Sequence, residues 1–143
     1  TLDVIKPEII YDMSSADSSK NLGYTSGISN GSNLTTISKN VSKYKALIGI
    51  FTQEDITSSY GGKFVVFVPL DNYANTDNEY VGTNTVENLY NYYEGQTSYE
   101  LRTGNIRVNS SKNVIKIGTW THKQGAGATY TTRVTCLKIV GVY

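Results

Sequence analysis

Cysteine, charge and long apolar runs are all scarce in this 143-residue chain. A single cysteine, Cys136, leaves no internal disulfide and no metal site built on paired thiolates. Its setting, TTRVTCLKIVGV, reads as a buried strand thiol. With 13 basic and 12 acidic residues the net charge is +1, so no long-range field gathers phosphates and nucleic acid is set aside as a partner. No apolar run approaches the ~20 residues of a membrane span, and TLDVIKPEIIYD at the start lacks both the basic and the apolar regions of a signal peptide. Membrane insertion is therefore not expected. Thr1 in place of methionine reads as a processed chain or a domain cut from a longer protein.

Catalytic groups are equally sparse. The only histidine, His122, lies in TWTHKQGAG, and no G-x-S-x-G elbow or other nucleophile signature accompanies it. The 12 carboxylates are scattered through polar turns, where they are solvated and carry ordinary acidity, so a pair acting on a glycosidic bond is not marked out. An enzyme is not expected. GAGA at 125–128 follows no βαβ pattern and reads as a hairpin loop, not a phosphate cradle. The sequons at Asn30, Asn33, Asn40 and Asn109 arise readily in a chain so rich in Asn, Ser and Thr.

What the chain does contain is Ser, Thr, Asn, Gly and 12 tyrosines, with only 17% charged residues against the ~25% usual in soluble domains. Between these polar stretches lie short apolar runs of strand type: IIY at 9–11, Leu22–Tyr24, Leu34–Ile37, YKALIGIFT at 44–52 and KFVVFVPL at 63–70. The two longest are apolar enough to be buried on both faces or to sit in a sandwich core, and Pro69, unable to donate to a ladder, marks a strand end or an edge. From residue 97 the pattern is a meander: TSYELR, a Thr103-Gly104-Asn105 turn, IRVN, the turn SSKN, VIKIGTWT, the loop HKQGAGAT, and a closing run YTTRVTCLKIVGVY. In that run the apolar alternation through Val134 and Cys136 changes phase at Leu137 and Ile139, which implies a β-bulge or burial on both faces. The expected fold is all-β: a single domain over residues 1–143, an antiparallel β-sandwich or jelly-roll-like barrel, with at most one short helix near 85–94. That helix rests on Val86, Leu89, Tyr90 and Tyr93 at i, i+3, i+4 and i+7, followed by Gly95.

Candidate sites are few. Trp120 and His122, two apart at a strand end beside a glycine loop and with Gln124 following, form a workable saccharide site, because an indole packs on a sugar face while imidazole meets hydroxyls. The competing possibility is a core tryptophan with a rim histidine. Tyr92, with Asn88 and Asn91, is the part of the tyrosine-rich stretch 80–99 that the helical stripe turns outward, toward a saccharide or a neighbouring subunit. In DNYANTDNE, Asp71, Asn75, Asp77 and Glu79 supply oxygens for Ca²⁺ but lack the Gly and distal Glu of an EF-hand, and an Asx-turn loop explains them equally. No other cofactor is indicated.

Taken in order, the start IIYD, LTTIS, a Ser-Lys-Tyr turn into YKALIGIFT, a polar mid-section, YELRTGNIRV and the closing KIVGVY resemble the C-terminal receptor-binding or accessory head domains of tail-fibre and baseplate proteins from phages of Gram-positive bacteria. The resemblance implies a compact β-sandwich or β-barrel head, usually a homotrimer at a fibre tip on the virion tail, that binds host cell-wall saccharide without cleaving it. It supplies no ligand residues that map onto this chain. Tyr, Ser, Asn and Gly surfaces suit such binding in any case, and weak single sites multiply through valency. A carbohydrate-binding module of a secreted bacterial enzyme would carry similar loops, and a structural virion decoration domain would use its tyrosines for subunit contacts.

Overall fold

A computed structural model describes residues 7–12, 25–26, 33–53, 62–71, 74–92, 96–124 and 133–143. Among the described residues nine strands account for the regular structure: β1 Glu8–Asp12, β2 Thr25–Ser26, β3 Asn33–Ser38, β4 Ala46–Thr52, β5 Lys63–Pro69, β6 Glu79–Tyr92, β7 Gln96–Asn109, β8 Val114–Gln124 and β9 Arg133–Val142. They form two antiparallel sheets, ordered β1-β9-β4-β5 and β3-β8-β7-β6, packed as a sandwich that does not close into a barrel. The two-residue β2 pairs with the start of β9. The all-β expectation holds, and among the described residues there is no helix.

The core lies between the sheets. From one side come Leu47 and Phe51 of β4, Phe64, Val66 and Val68 of β5, and Val134, Cys136 and Ile139 of β9; from the other come Ile106, Val108, Ile115 and Ile117. Phe51 and Phe64 stack at 5.6 Å with rings 21° apart. The Cys136 thiol is buried, and loss of solvent pushes its pKa up to about 12, so it stays protonated and inert.

Two expectations fail at glycine and tyrosine positions. Thr103-Gly104-Asn105 is not a turn, because β7 runs unbroken from Gln96 to Asn109. Gly104 is needed there for a different reason: a Cβ would meet the Phe51 ring of the facing sheet at 2.9 Å. Residues 85–92 are not helical, since β6 pairs with β7 residue by residue from Glu79↔Asn109 to Tyr92↔Gln96, and residues 93 and 94 lie outside the described residues. Fourteen consecutive ladder pairings outweigh an apolar spacing that fitted a helix over only two turns.

Other expectations are met. The phase change in the last run is a β-bulge: Ile50 pairs with Lys138 and Phe51 with Cys136, leaving Leu137 as the extra residue that lets Cys136 and Ile139 both reach the core. SSKN is the β7–β8 turn, with Lys112 in the left-handed region at φ 55° and the Asn109 side-chain oxygen accepting from the Asn113 and Val114 amides at 2.9 Å each. Apolar burial on both faces does not extend to β5: Phe64, Val66 and Val68 are buried, whereas Val65 and Phe67 are 53% and 57% exposed. Leu22–Tyr24 and GAGA at 125–128 lie outside the described residues.

At one edge the sheets touch. The Asn84 amide of β6 donates to the Val65 carbonyl of β5 at 2.9 Å, and β6 comes so close at Gly82 that a Cβ would stand 2.2 Å from the Phe67 carbonyl oxygen. At the opposite side, Glu8 of β1 ties the N-terminal strand to the end of the chain. Its carboxylate accepts from the Tyr44 hydroxyl at 2.5 Å and from the Tyr143 hydroxyl, and pairs with Lys43 at 2.9 Å. The tyrosine rings tilt against one another 5.3 Å apart. The hydrogen bond from Tyr44, and after it that from Lys43, holds the Glu8 pKa below its usual value.

Two outcomes follow from these contacts. On strand propensity alone Gly82→Ala should stabilise, but the Phe67 carbonyl forces the sheets apart, so urea unfolding should show a loss of about 1–3 kcal/mol; a gain would refute the close approach. Because the folded-state pKa of Glu8 is depressed, its contribution is complete above about pH 4.5 and declines as pH falls below that value. Glu8→Gln should therefore lower the melting temperature at neutral pH and narrow its difference from the parent chain in acid.

Candidate functional site

The outward face of the β3-β8-β7-β6 sheet is assembled from alternate residues of long strands, and its middle is neutral and polar. On β7 the outward positions carry Thr103, Asn105 and Arg107; opposite them stand Thr85, Thr83 and Val81 of β6 and Trp120, Gly118 and Lys116 of β8. Thr103 and Asn105 are buried beneath taller neighbours, 2% and 3% exposed. Buried polar groups need partners, and these have them. The Thr103 and Thr85 hydroxyls lie 2.9 Å apart. The Asn105 amide donates to the Thr83 hydroxyl at 2.5 Å and to the Gly82 carbonyl at 3.3 Å, while its oxygen accepts from Arg107 Nε at 3.1 Å. The result is a ladder of fixed hydroxyls and amides.

The ladder has unlike ends. At one, Trp120 is half-buried opposite Thr103, so part of its indole remains accessible. At the other, a hollow of about 370 Å³ is lined by Asp77, Asn78, Glu79, Arg107, Asn109, Ser110, Val114 and Lys116. The two acids and two bases balance, and Arg107 stands 3.9 Å from Glu79 in a loose, partly exposed pair that is worth little on its own. Donors and acceptors whose charges balance suit the hydroxyls of an uncharged polyol better than an ion. From Lys116 to Trp120 is four strand residues, about 13 Å, the length of a short oligosaccharide.

The other residues singled out in the sequence are distributed as follows. His122 and Gln124 continue β8 beyond Trp120, opposite Leu101 and Tyr99 of β7. Asn88, Asn91 and Tyr92 lie in the last part of β6, opposite Glu100, Thr97 and Gln96. The five therefore share with Trp120 the far half of one sheet, while their side chains lie outside the described residues. Because β6 is a strand, no helical stripe exists to turn Tyr92 outward. In the 71–79 loop, the Asn75 side-chain oxygen accepts from the Asp77 and Glu79 amides at 3.0 and 2.9 Å, which makes an Asx turn and occupies the oxygen offered to calcium. Asp71 is exposed and Glu79 faces Arg107. Among the described residues no three His, Cys, Asp or Glu side chains gather as a metal would require.

Thr83, Thr85, Thr103, Asn105 and Arg107 were missed as a group. Their signal was period-two polar spacing in T-N-T and T-G-N-I-R, but Gly104 made one half look like a turn and the tyrosines made the other look like a helix. Comparison of the chain with protein-family models, with curated proteins and with solved structures finds no match.

Asn105 holds the ladder together. Asn105→Ala should remove three hydrogen bonds, leave the Thr83 hydroxyl without its donor, and cost about 1–3 kcal/mol in chemical denaturation; an unchanged stability would show that the ladder is not a structural unit.

Proposed function

We propose that this domain is a non-catalytic receptor-binding head that recognises a host cell-surface saccharide, presented as a homotrimer on a phage tail tip. Its main support is the outward face of the β3-β8-β7-β6 sheet, where the exposed Thr83 and Thr85, fixed by bonds to the buried Asn105 and Thr103, lie between the half-buried Trp120 and a charge-balanced hollow. Saccharides ask for aromatic platforms and many neutral hydrogen-bonding groups, fixed in advance so that little entropy is lost on binding. The saccharide lies along β7 and β8, one end against Trp120 and the other in the hollow. Single-site affinity on so shallow a surface is weak, and several copies on one particle multiply it. The sequence pattern that resembles phage tail heads supplies the biological setting.

The same face would serve a carbohydrate-binding module of a secreted bacterial enzyme, and the two differ in context: a glycosidase domain in the same polypeptide supports the module and removes the tail head. A glycan array and a host cell-wall pull-down test saccharide recognition. Trp120→Ala should weaken binding about tenfold, the ~1.4 kcal/mol of a lost stacking contact, with little change in melting temperature. No binding to any surface polysaccharide by the parent chain would reject saccharide recognition and leave a decoration role.

A further inference from the structure

We infer that Arg107 sets the specificity of the hollow at the end of the ladder away from Trp120, where its guanidinium reads two hydroxyls on adjacent carbons of an uncharged sugar. The inference rests on the saccharide reading of the same face and names the group that this end of it receives.

Arg107 stands directly opposite Lys116 of β8 on the outward face. Two like charges side by side on a sheet cost stability, so the pair has no structural use. The Arg107 guanidinium is nonetheless held in place along one edge. Its Nε donates to the Asn105 side-chain oxygen at 3.1 Å, and Asn105, 3% exposed, is itself fixed by the Thr83 hydroxyl and the Gly82 carbonyl. With Nε engaged, the two terminal nitrogens remain as a fork of parallel donors, lining the hollow and set in orientation before a ligand arrives. Nη1 lies 3.9 Å from the Glu79 carboxylate, too far for a hydrogen bond. A hydroxyl oxygen about 2.8 Å from each spans that gap, accepting from Arg107 and donating to Glu79.

The charges around the fork select against ions of either sign. Asp77 and Glu79 oppose a carboxylate or a phosphate, and Arg107 and Lys116 oppose an ammonium group. A hydroxyl is donor and acceptor at once and meets both kinds of wall. Two donors side by side call for two acceptors side by side, and on a neutral sugar those are the oxygens of a vicinal diol. Lysine at this position would keep the charge but present a single point and give up the bond to Asn105.

The test compares the 143-residue chain with Arg107→Lys and Trp120→Ala. The probes are an array of neutral and uronic-acid oligosaccharides and cell-wall polysaccharide from Gram-positive bacteria, intact or treated with periodate and borohydride, which opens vicinal diols. The parent chain should bind neutral glycans with little dependence on salt. It should lose about tenfold in affinity when the diol is opened or one of its hydroxyls is O-methylated, and Arg107→Lys should lose as much on the intact glycan. Melting of Arg107→Lys should stay close to the parent's, as the side chain is 44% accessible. The oxidised and methylated glycans probe the parent chain itself, so the inference stays exposed even if the variant fails to fold. If Trp120→Ala weakens binding and a folded Arg107→Lys does not, the saccharide reading stands and the role of Arg107 falls. Binding that survives periodate, or that selects uronic acids and fades with added salt, also overturns the inference. A parent chain that binds no saccharide removes both readings.

Discussion

Between the two sheets the Phe51 ring rests against the bare backbone at Gly104, and that contact holds β7 at its distance from the facing strands. Phe51 is fully buried, stacks on Phe64 within its own sheet, and leaves no room for a side chain on the strand that crosses it. Interiors packed at crystal-like density do not yield to a methyl group without moving a neighbour. With β7 held at that distance, its inward residues Ile106 and Val108 meet the core, and its outward residues Thr103, Asn105 and Arg107 fall into line on the other side. The polar ladder is thus a consequence of where an aromatic ring sits one layer below it.

Much of the fold was legible because strand chemistry is local. YKALIGIFT and KFVVFVPL announced β4 and β5, and the phase change at Leu137 announced a bulge from side-chain alternation alone. The failures were long-range. Gly104 carries the same letter whether it opens a turn or admits a phenyl ring from another sheet, and only the facing residue decides. Val86, Leu89, Tyr90 and Tyr93 fit a helical period, yet the competing ladder with β7 depends on residues downstream that no local window includes. In the candidate site Trp120 was visible as the only indole in the chain. The threonines and Asn105 were invisible as a unit, because their hydrogen bonds join strands that lie some twenty residues apart in sequence.

The two outward faces of the sandwich have opposite chemistry. One sheet shows the solvent threonine hydroxyls and balanced charge; the other shows it isoleucine, valine and phenylalanine. Composition averages over this division, and a chain that is 38% apolar and near neutral gives no hint that its polar and apolar surfaces are segregated. Sheet pleat makes the segregation possible, since each residue's face follows from its parity along the strand.

The bond from Asn84 to the Val65 carbonyl has an effect beyond joining two sheets. A strand at the margin of a sheet ordinarily offers its backbone to any passing chain, and an apolar margin such as β5 is where ordered aggregates begin. Here a side-chain amide occupies one of those acceptors, and β6 leans over the Phe67 carbonyl two residues further along. Growth by adding strand to strand is obstructed at that margin, so a hydrophobic sheet can stay exposed on its flat side without becoming a template for fibrils.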